Sequence, residues 1–135
     1  MIVSTPQIAR DGHILEPGGI DPTAYRQNPI VLWQHTPEAP VGVATAIGVD
    51  TGGNLAARIR FAPEGISPIA DQVCSLTKAG IIRGVSCGFD PIETMPLDRN
   101  NPRGGQHIIR AELLKISFVA IPADSGLASP HDPLI

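Results

Sequence analysis

Apolar positions along the chain recur mostly with a period of two. In the clearest run, Val41, Val43, Thr45, Ile47 and Val49 alternate with Gly42, Ala44, Ala46 and Gly48. After Asp50-Thr51-Gly52-Gly53-Asn54, Leu55, Ala57, Ile59 and Phe61 alternate with Ala56, Arg58 and Arg60. Two alternating runs around a glycine turn predict a β-hairpin, and the first arm, small or apolar on both faces, is expected to be covered on both sides. Residues 1–9 alternate as a first strand and Arg10-Asp11-Gly12-His13 reads as a turn. Glu16 to Pro22 reads as a loop in which Asp21 caps a short helical turn that begins at Pro22 and ends near Gln27. Ile30-Val31-Leu32-Trp33 is a short strand ending at Gln34-His35-Thr36-Pro37.

One segment changes period. Ser67 as N-cap, Pro68 at the first helical position, the stripe Ile69, Val73 and Leu76, Lys78 near the end and Gly80 as terminator predict a helix over about residues 67–79. Ile81 to Phe89 reads as a strand, Pro91 to Gly105 as a polar, turn-rich segment, and His107 to Ile121 as a long strand with a bulge. From Pro122 onward no periodicity remains, so the expected organisation is one domain over 1–122 and an irregular tail over 123–135.

Composition agrees with a β-rich globular domain. Of 135 residues, 42% are hydrophobic and 17% charged, and 14 Gly with 14 Pro imply many turns. Aromatics make up only 4%, so Ile, Val, Leu and Ala must build the core with little ring stacking. A net charge of -3 with scattered Lys and Arg offers no basic field, and no direct nucleic-acid ligand is expected. Cys74 and Cys87 have neither metal-ligand nor disulfide spacing and are expected to be reduced. No window approaches a membrane span, and the first residues lack the pattern of a targeting segment, so the expectation is a soluble intracellular protein.

Candidate chemistry centres on Gly84-Val85-Ser86-Cys87-Gly88-Phe89, a serine between glycines at the end of an apolar run. The spacing Gly84-x-Ser86-x-Gly88 matches the nucleophile elbow of α/β-hydrolases, but no helix pattern follows Phe89 and the chain is too short for that fold. A serine acts as a nucleophile only when a base takes its proton, and His35, at a strand end beside a proline-rich rim, suits that role. Cys87 should point opposite to Ser86, into the core. Ser117 is placed to hydrogen-bond near the site, but a structural role is the preferred reading. His13, His107 and His131 show no ligand spacing, and neither metal nor cofactor is expected.

Four segments in order resemble the HK97-type prohead proteases of tailed phages. Asp11-Gly12-His13-Ile14-Leu15-Glu16-Pro17-Gly18-Gly19-Ile20-Asp21 with Asn28-Pro29-Ile30-Val31-Leu32-Trp33-Gln34-His35 is similar to the N-terminal half of that family, where an NPVVLW-x-H segment carries the catalytic histidine. The helix is similar too, Gly84 to Phe89 resembles the VSIGF segment of the nucleophile, and Leu113 to Ala123 resembles an LLEVSLVxxPA strand. The resemblance implies a mainly β protein with few helices, a closed or nearly closed antiparallel β-barrel related to the herpesvirus assembly proteases. It also implies a serine endopeptidase with Ser86 as nucleophile and His35 as base. Where the family usually has glutamate before "VS", this chain has Lys115. The third member is then expected to be Glu112, which a strand bulge would have to bring to the right face; His107, Lys115 as a base, or no third group are the alternatives.

The resemblance further implies cleavage of capsid-protein extensions and scaffold segments inside an assembling procapsid in the host cytoplasm, with room for self-processing and a homo-oligomer, and with no cofactor, membrane or direct nucleic-acid partner. The alternative is a catalytically silent barrel that serves as a scaffold or assembly module of a phage or prophage head.

Overall fold

A computed structural model describes residues 1–122. The expected tail over 123–135 lies outside the described residues. Eight strands and one helix follow in the order β1 (Ile2–Ser4), β2 (Ile14–Leu15), β3 (Ile20–Asp21), β4 (Ile30–Trp33), β5 (Thr36–Val49), β6 (Leu55–Phe61), α1 (Pro68–Lys78), β7 (Gly84–Pro96) and β8 (Gln106–Val119). Short 3-10 turns at Pro17–Gly19 and Tyr25–Gln27 fill the N-terminal connections. The Asp21 carboxylate accepts from the Thr23 amide at 3.0 Å, but the helical turn expected from Pro22 forms only over Tyr25–Gln27, after Ala24 and without a side-chain cap.

The sheet runs β1-β6-β5-β4-β8, with β7 also on β8. Because β7 pairs with β8 from Gly84↔Val119 to Pro96↔Gln106, it occupies one whole edge of β8. The three short parallel partners β2, β3 and β4 must therefore share the other edge, end to end. The sheet is thus mixed, its parallel pairs all made with β8. It curls until β1 and β7 lie within contact distance without pairing, a barrel closed except for one seam. The seam stays open because β1 is only three residues long and Pro6 follows shortly after it, with no N–H to extend a ladder. A cavity of about 60 Å³ in the seam is lined by Val3, Ser4 and Thr5 on one side and Ser86, Cys87 and Phe89 on the other.

The open edge explains a difference from the sequence reading. Residues 91–96, expected in a polar loop, extend β7 instead, with Pro91 opposite Ala111 and Pro96 opposite Gln106. A strand with one unpaired edge tolerates proline, because the missing N–H need not belong to the ladder. The alternation from Val41 to Val49 also does not survive as one buried row. A register shift between Ala44 and Ala46 lets both Val41 and Ala44 be buried, while Val49 is exposed. Of the first nine residues only Ile2–Ser4 form a strand, with a lone bridge from Ile8 to Ile14.

Helix α1 starts as expected: the Ser67 hydroxyl accepts from the Ala70 amide at 3.3 Å and Pro68 opens the first turn. It packs on β5, and Ala70 and Val73 join Val31, Val41, Val85, Leu113, Ile116 and Phe118 in the core. Phe118 stacks on Phe61 with ring centroids 5.0 Å apart. Phe118 is fully buried and faces Val85 in the ladder, so Phe118→Ala is expected to cost roughly 3–5 kcal/mol of unfolding free energy, read as a lower urea midpoint with an unchanged slope.

Candidate active site

The turn from β4 to β5 contains only Gln34 and His35, because Trp33 pairs with Thr36. Both have positive φ, 53° and 56°, the requirement of a type I′ turn. Such turns favour Asn-Gly; a Gln-His pair in the left-handed region costs on the order of 1 kcal/mol per residue or more. Three hydrogen bonds to the end of β8 hold it there. The Gln34 amide donates to the Phe118 carbonyl at 2.9 Å, the Gln34 side chain accepts from the Ala120 amide at 3.2 Å, and the His35 amide donates to Ser117 Oγ at 3.0 Å.

The same Ser117 Oγ lies 3.1 Å from His35 Nδ1. Ser117 is completely buried in an otherwise apolar stretch, Ile116–Val119, so its hydroxyl must find a partner, and His35 is that partner twice over. The β7–β8 ladder sets Ser86 directly opposite Ser117. Directly opposed residues share a face with Cβ atoms roughly 4.5–5.5 Å apart. Ser117 thus bonds the histidine and faces the serine singled out by sequence, two residues 51 positions apart (86 − 35). No hydrogen bond joins Ser86 to His35 directly among the described residues.

Pair positions also sort the neighbours by face. Val85↔Phe118, Cys87↔Ile116 and Phe89↔Leu113 point into the barrel, so Cys87 packs against the core as its offset from Ser86 required. Ser86↔Ser117, Gly88↔Lys115 and Asp90↔Glu112 share the other face. Leu114 is skipped between Gly88↔Lys115 and Phe89↔Leu113, a bulge that turns Glu112 to the face of Lys115. Glu112 nevertheless sits opposite Asp90, roughly 15 Å along β8 from Ser117 at about 3.3 Å per residue. It makes no hydrogen bond with His35. His107 lies farther down the strand, with Nε2 3.3 Å from the Glu16 carboxylate. Lys115 stretches across Gly88: a Cβ there would lie 2.7 Å from both Lys115 Cγ and Cε.

His35 is half-buried, and its pKa is held below the ordinary 6.5, first by removal from water and second by the Lys115 ammonium. Both effects disfavour imidazolium. Ser117, for which the sequence favours a structural role over a hydrogen bond near the site, is the side chain that meets the His35 ring. The signal was available in the lone hydroxyl of an apolar strand beside the candidate site. Among the described residues no cluster of His, Cys, Asp or Glu could hold a metal, and no helix is long and apolar enough to cross a membrane.

A serine paired across the ladder with a buried serine that bonds a histidine, on a nearly closed barrel, supplies side chains a serine hydrolase uses, with no acid bonded to the histidine among the described residues. Sequence comparison assigns the class: residues 7–128 match the Caudovirus prohead serine protease family, and the chain belongs to it. The chain is also 29% identical over 129 residues to the capsid polyprotein of Pseudomonas phage PAJU2, an alignment covering 92% of this chain but 18% of the polyprotein. It therefore spans under a fifth of that relative. No solved structure matches.

Two measurements check this geometry. His35→Gly is expected to be about 1 kcal/mol more stable than His35→Ala, because both lack the ring and only alanine keeps the cost of positive φ; denaturant titration reads the difference. An NMR titration of the His35 ring should give a midpoint below 6.5 that rises in Lys115→Met yet stays below 6.5, since burial is the larger cause.

Proposed function

We propose that the protein is a serine endopeptidase of phage head maturation, acting on capsid-protein or scaffold segments inside the assembling procapsid. The observation that carries this reading is Ser117, bonded to the His35 ring and paired across the ladder with Ser86. Membership of the prohead protease family and likeness to a phage capsid polyprotein support the substrate class.

In the proposed reaction Ser86 Oγ attacks the scissile carbonyl carbon while His35 Nε2 takes its proton. The imidazolium then returns that proton to the leaving amine, leaving an acyl ester on Ser86. Water, deprotonated by the same nitrogen, hydrolyses the ester and frees the serine. For Nε2 to act as base, Nδ1 must carry the ring proton and donate it to Ser117 Oγ. In that tautomer Ser117 Oγ accepts from both the His35 amide and Nδ1–H through its two lone pairs, so one hydroxyl holds the ring in position. Ser117 is thereby a positioning residue in the place expected for Glu112. A neutral hydroxyl stabilises imidazolium less than a carboxylate does, and the base is correspondingly weak until other charge reaches the site.

One observation favours a second reading, a silent barrel used in head assembly: among the described residues no acid bonds to the histidine, and a cation, Lys115, acts on it. Co-expression with the cognate capsid protein separates the two. Ser86→Ala and His35→Ala should each abolish processing, a fall of several orders of magnitude. Ser117→Ala should slow it roughly ten- to hundredfold, the worth of about 1–3 kcal/mol in a buried hydrogen bond, and Glu112→Gln should stay within a few-fold of the parent. Identical capsid-protein patterns on gels for parent, Ser86→Ala and His35→Ala would sink the protease reading and favour the assembly role.

A further inference from the structure

Lys115 is the feature that the proposed reaction does not use and that works against it. The ladder seats it opposite Gly88, two residues beyond Ser86 on the same face as Ser86 and Ser117. Its stem runs flat over the backbone of Gly88, in the space that any other side chain at 88 would take. It is only partly exposed, makes no ion pair or hydrogen bond among the described residues, and its charge reaches His35. A peptide laid against Ser86 must cover this ammonium. Covering an unpaired charge is costly, whereas a carboxylate at hydrogen-bond distance converts that cost into a charge-assisted bond.

We propose that Lys115 is a carboxylate-recognition site: the substrate segment carries an acidic side chain that pairs with Lys115 when its scissile bond sits at Ser86. The inference rests on the reading of Ser86 as nucleophile. It gives the missing acid a source. The substrate carboxylate offsets the Lys115 charge next to His35, so the imidazolium formed during acyl transfer is less disfavoured with an acidic segment bound than without one. Gly88 serves the same end, since its missing Cβ lets the lysine stem lie in one fixed path and less rotamer freedom is lost on binding.

Binding and labelling test the two layers separately. Neutral extended decapeptides tagged with a zwitterionic dye, each with one Asp walked along the sequence, are titrated against the full-length Ser86→Ala variant by fluorescence anisotropy. One Asp position is expected to bind roughly tenfold or more tighter than the all-neutral peptide, with the gap shrinking at high salt. Lys115→Arg in the same background should keep the preference, Lys115→Met should erase it, and Lys115→Glu should transfer it to a Lys-bearing peptide. Equal affinity for all peptides, failure of every peptide to bind, or an Asp preference that survives Lys115→Met overturns the proposal. Wild-type protein is treated in parallel with a fluorophosphonate. An unlabelled Ser86 alongside an intact, Lys115-dependent Asp preference would count against the catalytic reading alone and leave the carboxylate site standing. In the active protein, Lys115→Met should shrink the kcat/KM advantage of the Asp peptide over the neutral peptide by about the same tenfold.

Discussion

The site depends on the hydroxyl of Ser117. Buried among Ile116, Phe118 and Val119, it cannot reach water, and it is His35, through its amide and Nδ1, that satisfies it. In doing so it pins the β4–β5 turn to β8 at the point where β8 carries Ser86 across from it on β7. One oxygen atom thus joins β8 to the turn, and the β7–β8 register brings Ser86 alongside. Without that oxygen the turn would lose one of its three anchors to β8 and the ring its partner.

The turn also explains how a strained backbone can persist. Gln34 and His35 hold positive φ in a two-residue loop better suited to Asn-Gly. The register of β4 beside β8, Val31↔Ile116 through Trp33↔Phe118, leaves the chain two residues in which to reverse, and the bonds from Gln34 and His35 to β8 offset the cost. Strain at such a position aims the imidazole where a relaxed glycine turn would carry no ring at all.

Charge separates this site from a triad with a carboxylate behind the histidine. The acid expected at Glu112 lies well down β8, although the bulge at Leu114 turns it to the correct face. Lys115 is nearer, and with burial it lowers the proton affinity of His35. A histidine in these surroundings is the weaker base and favours its neutral form.

By itself the sequence determined the elements whose cause is local. Alternation marked the β5–β6 hairpin, Ser67-Pro68 through Gly80 marked α1, and an apolar run between glycines marked the strand of Ser86. The order of segments identified His35 and Ser86 as the pair to bring together. Tertiary structure alone decided the rest, because cross-strand register is set by contacts between residues far apart in the chain. It decided that β7 runs on through two prolines along an open edge, that a bulge falls at Leu114, and that Ser117 rather than a carboxylate meets His35. It also decided that Lys115 lies over Gly88 within electrostatic reach of that ring. A period of two says which residues share a face; only the paired strands say which of them meet.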